Sequence, residues 1–409
     1  MKTLITGAMI AFTSSGLLAN TAMCENTEEH KQAFYAPFDV NNIPKDKMQK
    51  FPYYRYVSMH YDQFARYGTA PVTASKPLKL LKGETFDLTQ EFEAGQSYIQ
   101  NLTHTLTKGF VVLKDGEITA EFYDNGYNIG MLNNLQSASK TYIGVIIHKL
   151  VDLDLIKLEK KASVYLPELS GTDIGEATVQ QLLDMNSGIE PLVDYHTPGS
   201  NGYMWEIEIG LQHAGKPVGH LNAIKAAKAN VKPDTVWQYA DQNTDTLGLI
   251  AERVSGKKFN VLMSELHTET GANTASSIAK TSDGTTSPAF GINLTARDYA
   301  LFHLYIAQGK AAKSFYKSIL DNEKDLMKAE GLGKALESFG HKTIYGSQTY
   351  YMIDDKIAFS FGSFGALGFS DLTNGNVVIN QQDWYCNADV QHLRDTVVRS
   401  VKILKALRK

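Results

Sequence analysis

A serine hydroxyl becomes a useful nucleophile only when a neighbouring base takes its proton, and a lysine one helical turn away can supply that base. Ser137-Ala138-Ser139-Lys140 has this spacing. So do Ser255 to Lys258, Ser277 to Lys280 and Ser314 to Lys317, and spacing alone does not choose among them. Context does. Of the four, only the first leads into a long apolar run, Tyr142-Ile-Gly-Val-Ile-Ile147, which predicts a helix buried on nearly every side. Burial disfavours an ammonium and lowers the lysine pKa toward an amine that can act as a base. Ser137 would then lie at a helix N-terminus, where free N–H groups and the dipole favour a developing oxyanion. The pattern predicts acyl transfer with Ser137 as nucleophile and Lys140 as its base.

Strands at both ends of the chain must position that helix. Gly109 to Tyr123 holds two apolar runs around Asp115-Gly116, a strong hairpin signal. A second hairpin is predicted where Ile357–Leu372 and Val377–Asn380 flank Asn374-Gly375. Between them the apolar spacing is helical at Thr141–Leu150, Val179–Met185, Thr244–Val254 and Ala296–Ile306, and Asp389–Leu407 predicts a closing helix. Ala33 to Ala74 is rich in aromatic residues without a sustained period and reads as an irregular segment wrapped on the body. The expected fold class is α/β: an antiparallel sheet flanked by terminal helices, beside a mostly helical domain, with the site between them. The expected division is a leader over 1–22, the aromatic segment over 23–85 and the main domain over 86–409, its helical part roughly 141–310.

In this setting the stretch from Leu135 to Ile156 resembles the nucleophile helix of class C β-lactamases and penicillin-binding proteins, with their esterase and amidase relatives. Three more blocks follow in that family's order: Thr178-Val-Gln-Gln-Leu-Leu-Asp-Met-Asn-Ser-Gly188, Trp237-Gln-Tyr-Ala-Asp-Gln-Asn-Thr-Asp-Thr-Leu-Gly248 and Gly291-Ile-Asn-Leu-Thr-Ala-Arg-Asp298. Asp194-Tyr195 after Ser-Gly, and the leader Pro52-Tyr-Tyr-Arg-Tyr-Val-Ser-Met-His60, are similar to the 6-aminohexanoate-dimer hydrolase branch. The resemblance implies the β-lactamase-like fold, and Tyr239 as the phenol that relays a proton between serine and leaving group. Without it Tyr239 reads as a core tyrosine. It also implies an oxyanion hole from the N–H groups of Ser137 and Ser363, and substrate contacts from Tyr195, Asp241, Asn243, Phe361 and Gly362.

Two departures stand out. The family's asparagine two residues after the tyrosine is Asp241, which is either a substrate contact or a helix N-cap, with Asn243 as its replacement. The late strand reads Ser360-Phe361-Gly362-Ser363 and lacks the basic residue β-lactamases carry there; Lys356 is the nearest substitute.

The remaining features bound the class of partner. A net charge of -4 over 409 residues, with both signs interspersed, gives no reason to expect nucleic acid or an anionic membrane. The expected partner is a small amide or ester. Lys2, the apolar stretch Leu4–Leu18 and Ala19-Asn20-Thr21-Ala22 read as a secretory signal peptide, so the protein is expected to be exported, periplasmic or secreted, without stable membrane insertion after cleavage. Two cysteines, Cys24 and Cys386, make neither a disulfide scaffold nor a thiolate metal site, although a bond between them is open, as is lipid modification of Cys24. His148 and His267 lack metal spacing and read as structural. No metal or cofactor is expected. Rival readings are a D-Ala peptidase or β-lactamase, a catalytically silent penicillin-binding-like sensor, and a cell-wall adhesion protein.

Overall fold

The computed structural model describes residue 32 and residues 36–192, 197–321 and 331–408. In chain order its strands are β1 (Thr69–Val72), β2 (Glu91–Glu93), β3 (Gln96–Ser97), β4 (Thr107–Lys114), β5 (Glu117–Tyr123), β6 (Asn133–Asn134), β7 (Ser276–Ala279), β8 (Ile292–Leu294), β9 (Thr343–Gly346), β10 (Thr349–Met352), β11 (Ile357–Gly362), β12 (Ala366–Asp371) and β13 (Val377–Gln382). Seven of them form one antiparallel sheet in the order β5-β4-β13-β12-β11-β10-β9. The β4–β13 pair, with Val112 opposite Val378, joins the two ends of the chain.

Alternation along these strands assigns side chains to opposite faces. Phe110, Val112, Val378 and Phe369 pack with Leu393, Val397, Val401 and Leu404 of the C-terminal helix Val390–Leu407. Val111, Leu113, Val377 and Ile379 face the other way, toward Leu301 and Leu304 of the helix Ala296–Ala307. Because both faces are covered, β4 reads as an unbroken apolar run. Each such side chain contributes about 1.5–3 kcal/mol on burial, and a one-residue slip would exchange the faces, so the register is strongly fixed. Asp115 and Gly116, both at positive φ (53° and 82°), close the β4–β5 hairpin with the twist a two-residue turn needs.

A second sheet, β1-β7-β8-β6, supports the Ser137 segment: β6 ends at Asn134, and the Leu135 N–H donates to the Ile292 carbonyl at 2.9 Å. The helices expected from periodicity are present at Lys140–Asp152, Val179–Leu183, Asp241–Ser255 and Ala296–Ala307. The closing helix begins at Val390, with Asp389 accepting from the His392 N–H at 2.9 Å as its cap.

Two expectations need correction. The aromatic N-terminal segment is not irregular throughout. It contains the helix Tyr54–Met59 and strand β1, which pairs with β7; Pro71 in β1 is tolerated because β1 is an edge strand. The stretch Ile357–Leu372 is two strands, not one. β11 and β12 are separated by a turn in which Phe364 and Gly365 both take positive φ (64° and 93°), and a phenylalanine there gives no turn signal. The leader over 1–22 lies outside the described residues, as does Cys24, while Cys386 is disulfide-bonded.

Candidate active site

Ser137 lies in a 3-10 turn, Gln136–Ser139, that runs directly into the helix Lys140–Asp152. The expected single helix is thus preceded by a tighter turn, entered through Gln136 at a φ of 49°. Ser139 Oγ accepts from the Ile292 N–H at 3.2 Å and ties the turn to β8. Around Lys140 the helix is buried through Thr141, Tyr142, Ile143 and Gly144, whereas Ser137 keeps partial exposure.

Lys140 is only 2% exposed, and four groups meet its ammonium nitrogen. Nζ lies 3.1 Å from Ser137 Oγ, 2.7 Å from the Ala289 carbonyl oxygen and 2.6 Å from Asp241 Oδ1, and it stands 4.7 Å from the Tyr239 ring centre. Burial lowers the lysine pKa and the Asp241 charge opposes this. Burial also raises the Asp241 carboxyl, with Lys140 opposing. Tyr239 is buried beside Trp237 and Tyr345, and its phenol is raised well above its ordinary value by burial and by Asp241, with Ser137 acting in the other direction. Tyr239, 99 positions after Lys140, therefore converges with it and with Ser137.

Gly362 closes another side. A Cβ there would stand 2.1 Å from the Leu135 carbonyl oxygen and 2.9 Å from the Ala138 nitrogen, so the end of β11 lies directly against the Ser137 turn. Ser363, partly exposed, follows at once.

Other expected contacts are placed elsewhere. Asp241 is not an N-cap, since Ala240 holds that position and the carboxylate turns to Lys140 instead. Asn243 is fully buried, accepting from Ser187 Oγ at 2.8 Å and facing Met185 Sδ at 3.4 Å, so it is spent on the scaffold. Phe361 is 2% exposed and packs beside Trp384 in the core, because alternation sends it to the face opposite Gly362 and Ser360. Lys356 is exposed in the turn before β11, at the end of the strand away from Gly362, and cannot replace the missing basic group. Tyr195 and Asp194 lie outside the described residues.

Sequence reasoning missed several groups. Asp245, one turn after Asp241 on the same helix, accepts from His220 Nε2 (2.9 Å), Trp205 Nε1 (3.0 Å), Ser287 Oγ (2.8 Å) and the Ala289 N–H (3.3 Å), and so anchors the residue whose own carbonyl, in the next peptide, receives Lys140. The i, i+4 spacing of the two aspartates was its visible signal. Glu206 is another: burial, with Asp241 adding to it, pushes its carboxyl up to about 8. His148 and His267 are buried, both lowered to about 4 by burial, and His148 is bonded to Ser314 and Ser347. Among the described residues no cluster of His, Cys, Asp and Glu could hold a metal ion, and no helix is long and apolar enough to cross a membrane.

A family model, Beta-lactamase, matches residues 99–361, well over half of the chain, a range that includes Ser137, Lys140, Tyr239 and Asp241 and stops one residue short of the end of β11. The chain belongs to the beta-lactamase family. Its fold is the beta-lactamase-like α/β fold. Among curated proteins it is 29% identical over 204 residues to the 6-aminohexanoate-dimer hydrolase of Paenarthrobacter ureafaciens, a match covering 49% of this chain and 52% of that one, so the chain spans about half the length of this relative. Among solved structures, a Bacillus anthracis protein named as a candidate 6-aminohexanoate-dimer hydrolase superposes with a TM-score of 0.77 over 91% of this chain and 100% of that chain, at 22% identity. EstCE1, a hydrolase with promiscuous acyltransferase activity, reaches 0.58 over 74% of this chain and 97% of that chain, at 12% identity. At these identities the two structures speak for the fold of this beta-lactamase-family chain.

Proposed function

We propose that the protein is an exported serine hydrolase that cleaves an amide or ester bond through an acyl-enzyme on Ser137. The observation that carries the reading is the buried Lys140 Nζ lying 3.1 Å from Ser137 Oγ. A solvated surface pair would have neither that burial nor the lowered lysine pKa.

In this reading Ser137 Oγ attacks the carbonyl carbon as its proton passes to the Lys140 amine. Asp241 and the Ala289 carbonyl stabilise the ammonium that results. The N–H groups of Ser137 and Ser363 receive the oxyanion. Collapse breaks the C–N or C–O bond; Tyr239 gives the departing amine or alkoxide a proton and regains one from Lys140. Water then adds to the acyl-enzyme by the same relay in reverse and releases the acid. The amide choice is supported by the curated relative named as a 6-aminohexanoate-dimer hydrolase, and an ester carbonyl can be attacked by the same serine. The partner is a small molecule, with neither nucleic acid nor stable membrane insertion involved, and the leader over 1–22 directs the chain to the periplasm or the exterior.

The test is covalent labelling by a fluorophosphonate, followed by a hydrolysis screen of short esters, linear amides and D-Ala peptides. Ser137→Ala and Lys140→Ala should each abolish labelling with the fold intact. Stoichiometric labelling of Ser137→Ala would refute the assignment, and labelling without turnover on any substrate would point to a penicillin-binding-like sensor instead.

A further inference from the structure

Two residues beside the proposed oxyanion donors have left-handed backbone that their side chains disfavour. Gln136, immediately before Ser137, has a φ of 49°, and Phe364, immediately after Ser363, has a φ of 64°. Non-glycine residues in this region are uncommon and persist where surrounding contacts over-determine them.

The Phe364 backbone is held in part by the Asn387 carbonyl, which accepts its N–H at 2.9 Å, and by the Trp384 N–H, which donates to its carbonyl at 3.3 Å; further contacts come from the N-terminal aromatic segment. The Tyr54 hydroxyl donates to Asn134 Oδ1 at 3.3 Å, and the same oxygen accepts the Gln136 N–H at 3.0 Å. The Tyr54 ring stacks on Phe364, centres 4.0 Å apart and planes 25° from parallel. Gln49 Oε1 accepts from Gln136 Nε2 at 3.0 Å. Tyr54 is 3% exposed, and its helix is anchored from below: Ser58, one turn on, accepts from Lys108 Nζ at 2.6 Å, and Lys108 forms a buried pair with Asp383 at 2.6 Å. The anchor ties that helix to β4 and to the residue following β13.

We propose that Tyr54, aided by Gln49, is a positioning residue that holds the Ser137 and Ser363 N–H groups at a fixed separation, so that the N-terminal segment is a working part of the catalytic site. The inference rests on the serine-hydrolase reading. One side chain reaches the segments that flank both donors through two unlike contacts, a hydrogen bond to the Asn134 oxygen that also holds the Gln136 N–H and a ring stack on Phe364. Both contacts are lost in Tyr54→Leu, and the hydrogen bond alone in Tyr54→Phe. Because the contacts act on where the oxyanion forms and not on the ground-state substrate, their loss should slow acylation without weakening binding.

Saturation kinetics of fluorophosphonate labelling on the full chain separate the two. Tyr54→Leu should lower the limiting inactivation rate by about ten- to a hundredfold, the range expected for misplacing one donor. Tyr54→Phe and Gln49→Ala should each lower it by a smaller factor, and in all three the half-saturating concentration should stay within about twofold of wild type. Limiting rates within twofold of wild type in folded Tyr54→Phe and Gln49→Ala proteins would overturn the proposal even if Tyr54→Leu failed to fold. So would a raised half-saturating concentration with an unchanged limiting rate, which would make the segment only a binding wall. Absence of labelling in the unaltered protein, or labelling that survives Ser137→Ala, instead overturns the serine-hydrolase reading and this inference with it.

Discussion

Replacing Gly362 with alanine isolates the contact between β11 and the Ser137 turn. The new Cβ would stand 2.1 Å from the Leu135 carbonyl oxygen, where ordinary contact begins at 3.4 Å, so the strand and the turn must separate by 3.4 − 2.1 = 1.3 Å along that line. Both colliding groups are backbone, and no rotamer change relieves them. Overpacking of this kind costs about 1–3 kcal/mol of stability. A displacement of about 1 Å at a reacting centre costs roughly a hundredfold in rate, which corresponds to about 2.7 kcal/mol of transition-state stabilisation. Gly175→Ala provides the comparison: its Cβ would meet the Leu169 carbonyl oxygen at 2.0 Å, an equal collision far along the chain from any site residue. Thermal unfolding should show both variants destabilised, whereas kcat/KM on p-nitrophenyl acetate should fall by about two orders of magnitude only in Gly362→Ala. A Gly362→Ala enzyme within threefold of wild type, or a Gly175→Ala enzyme equally impaired, would refute the argument that β11 sets the geometry at Ser137.

Asp241→Asn removes the charge that opposes the burial-driven lowering of the Lys140 pKa, so the limb of kcat/KM that rises with pH should move to lower pH; a limb that stays in place would show that Asp241 does not set the lysine's charge. Burial pushes the Glu206 carboxyl from its ordinary 4.5 up to about 8, so its protonated form favours folding, fully below 4.5, and this contribution is lost progressively as pH rises from 4.5 to about 8. Glu206→Gln should therefore flatten the pH dependence of the unfolding temperature across that window, and an unchanged slope would count against the assignment. Because β11 offers no basic side chain for a β-lactam carboxylate, a contact worth about 1.5–3 kcal/mol, penicillins and cephalosporins should be poor substrates beside uncharged esters or amine-bearing amides. Efficient cephalosporin turnover in a side-by-side kcat/KM comparison would reveal a cation this reading lacks. N-terminal sequencing of the mature protein should begin between Asn20 and Glu25, and a chain retaining Met1 would contradict export.

What the sequence determined by itself is local in origin. The apolar run after Lys140 required a buried helix, and the three-residue spacing then put serine and lysine together, because both follow from one turn of backbone. The Asp115-Gly116 hairpin, the closing helix and the antiparallel sheet built from both ends follow from period and turn chemistry in the same way. Tertiary structure decided everything that depends on which distant segments meet. Asp241 was legible as a departure from a family pattern, but only packing turned its carboxylate to Lys140 and consigned Asn243 to Ser187 and Met185. Phe361 and Gly362 are neighbours in sequence with opposite fates, one in the core and one against the Ser137 turn, because the pleat alternates and β11 has one face on each. Tyr54 lay in a segment with no readable period, and its role depends on two contacts more than 75 positions away, with Asn134 and Phe364. Spacing reports on partners within a turn or two of backbone; long-range convergence is set by how the helices and sheets pack, which no local pattern encodes.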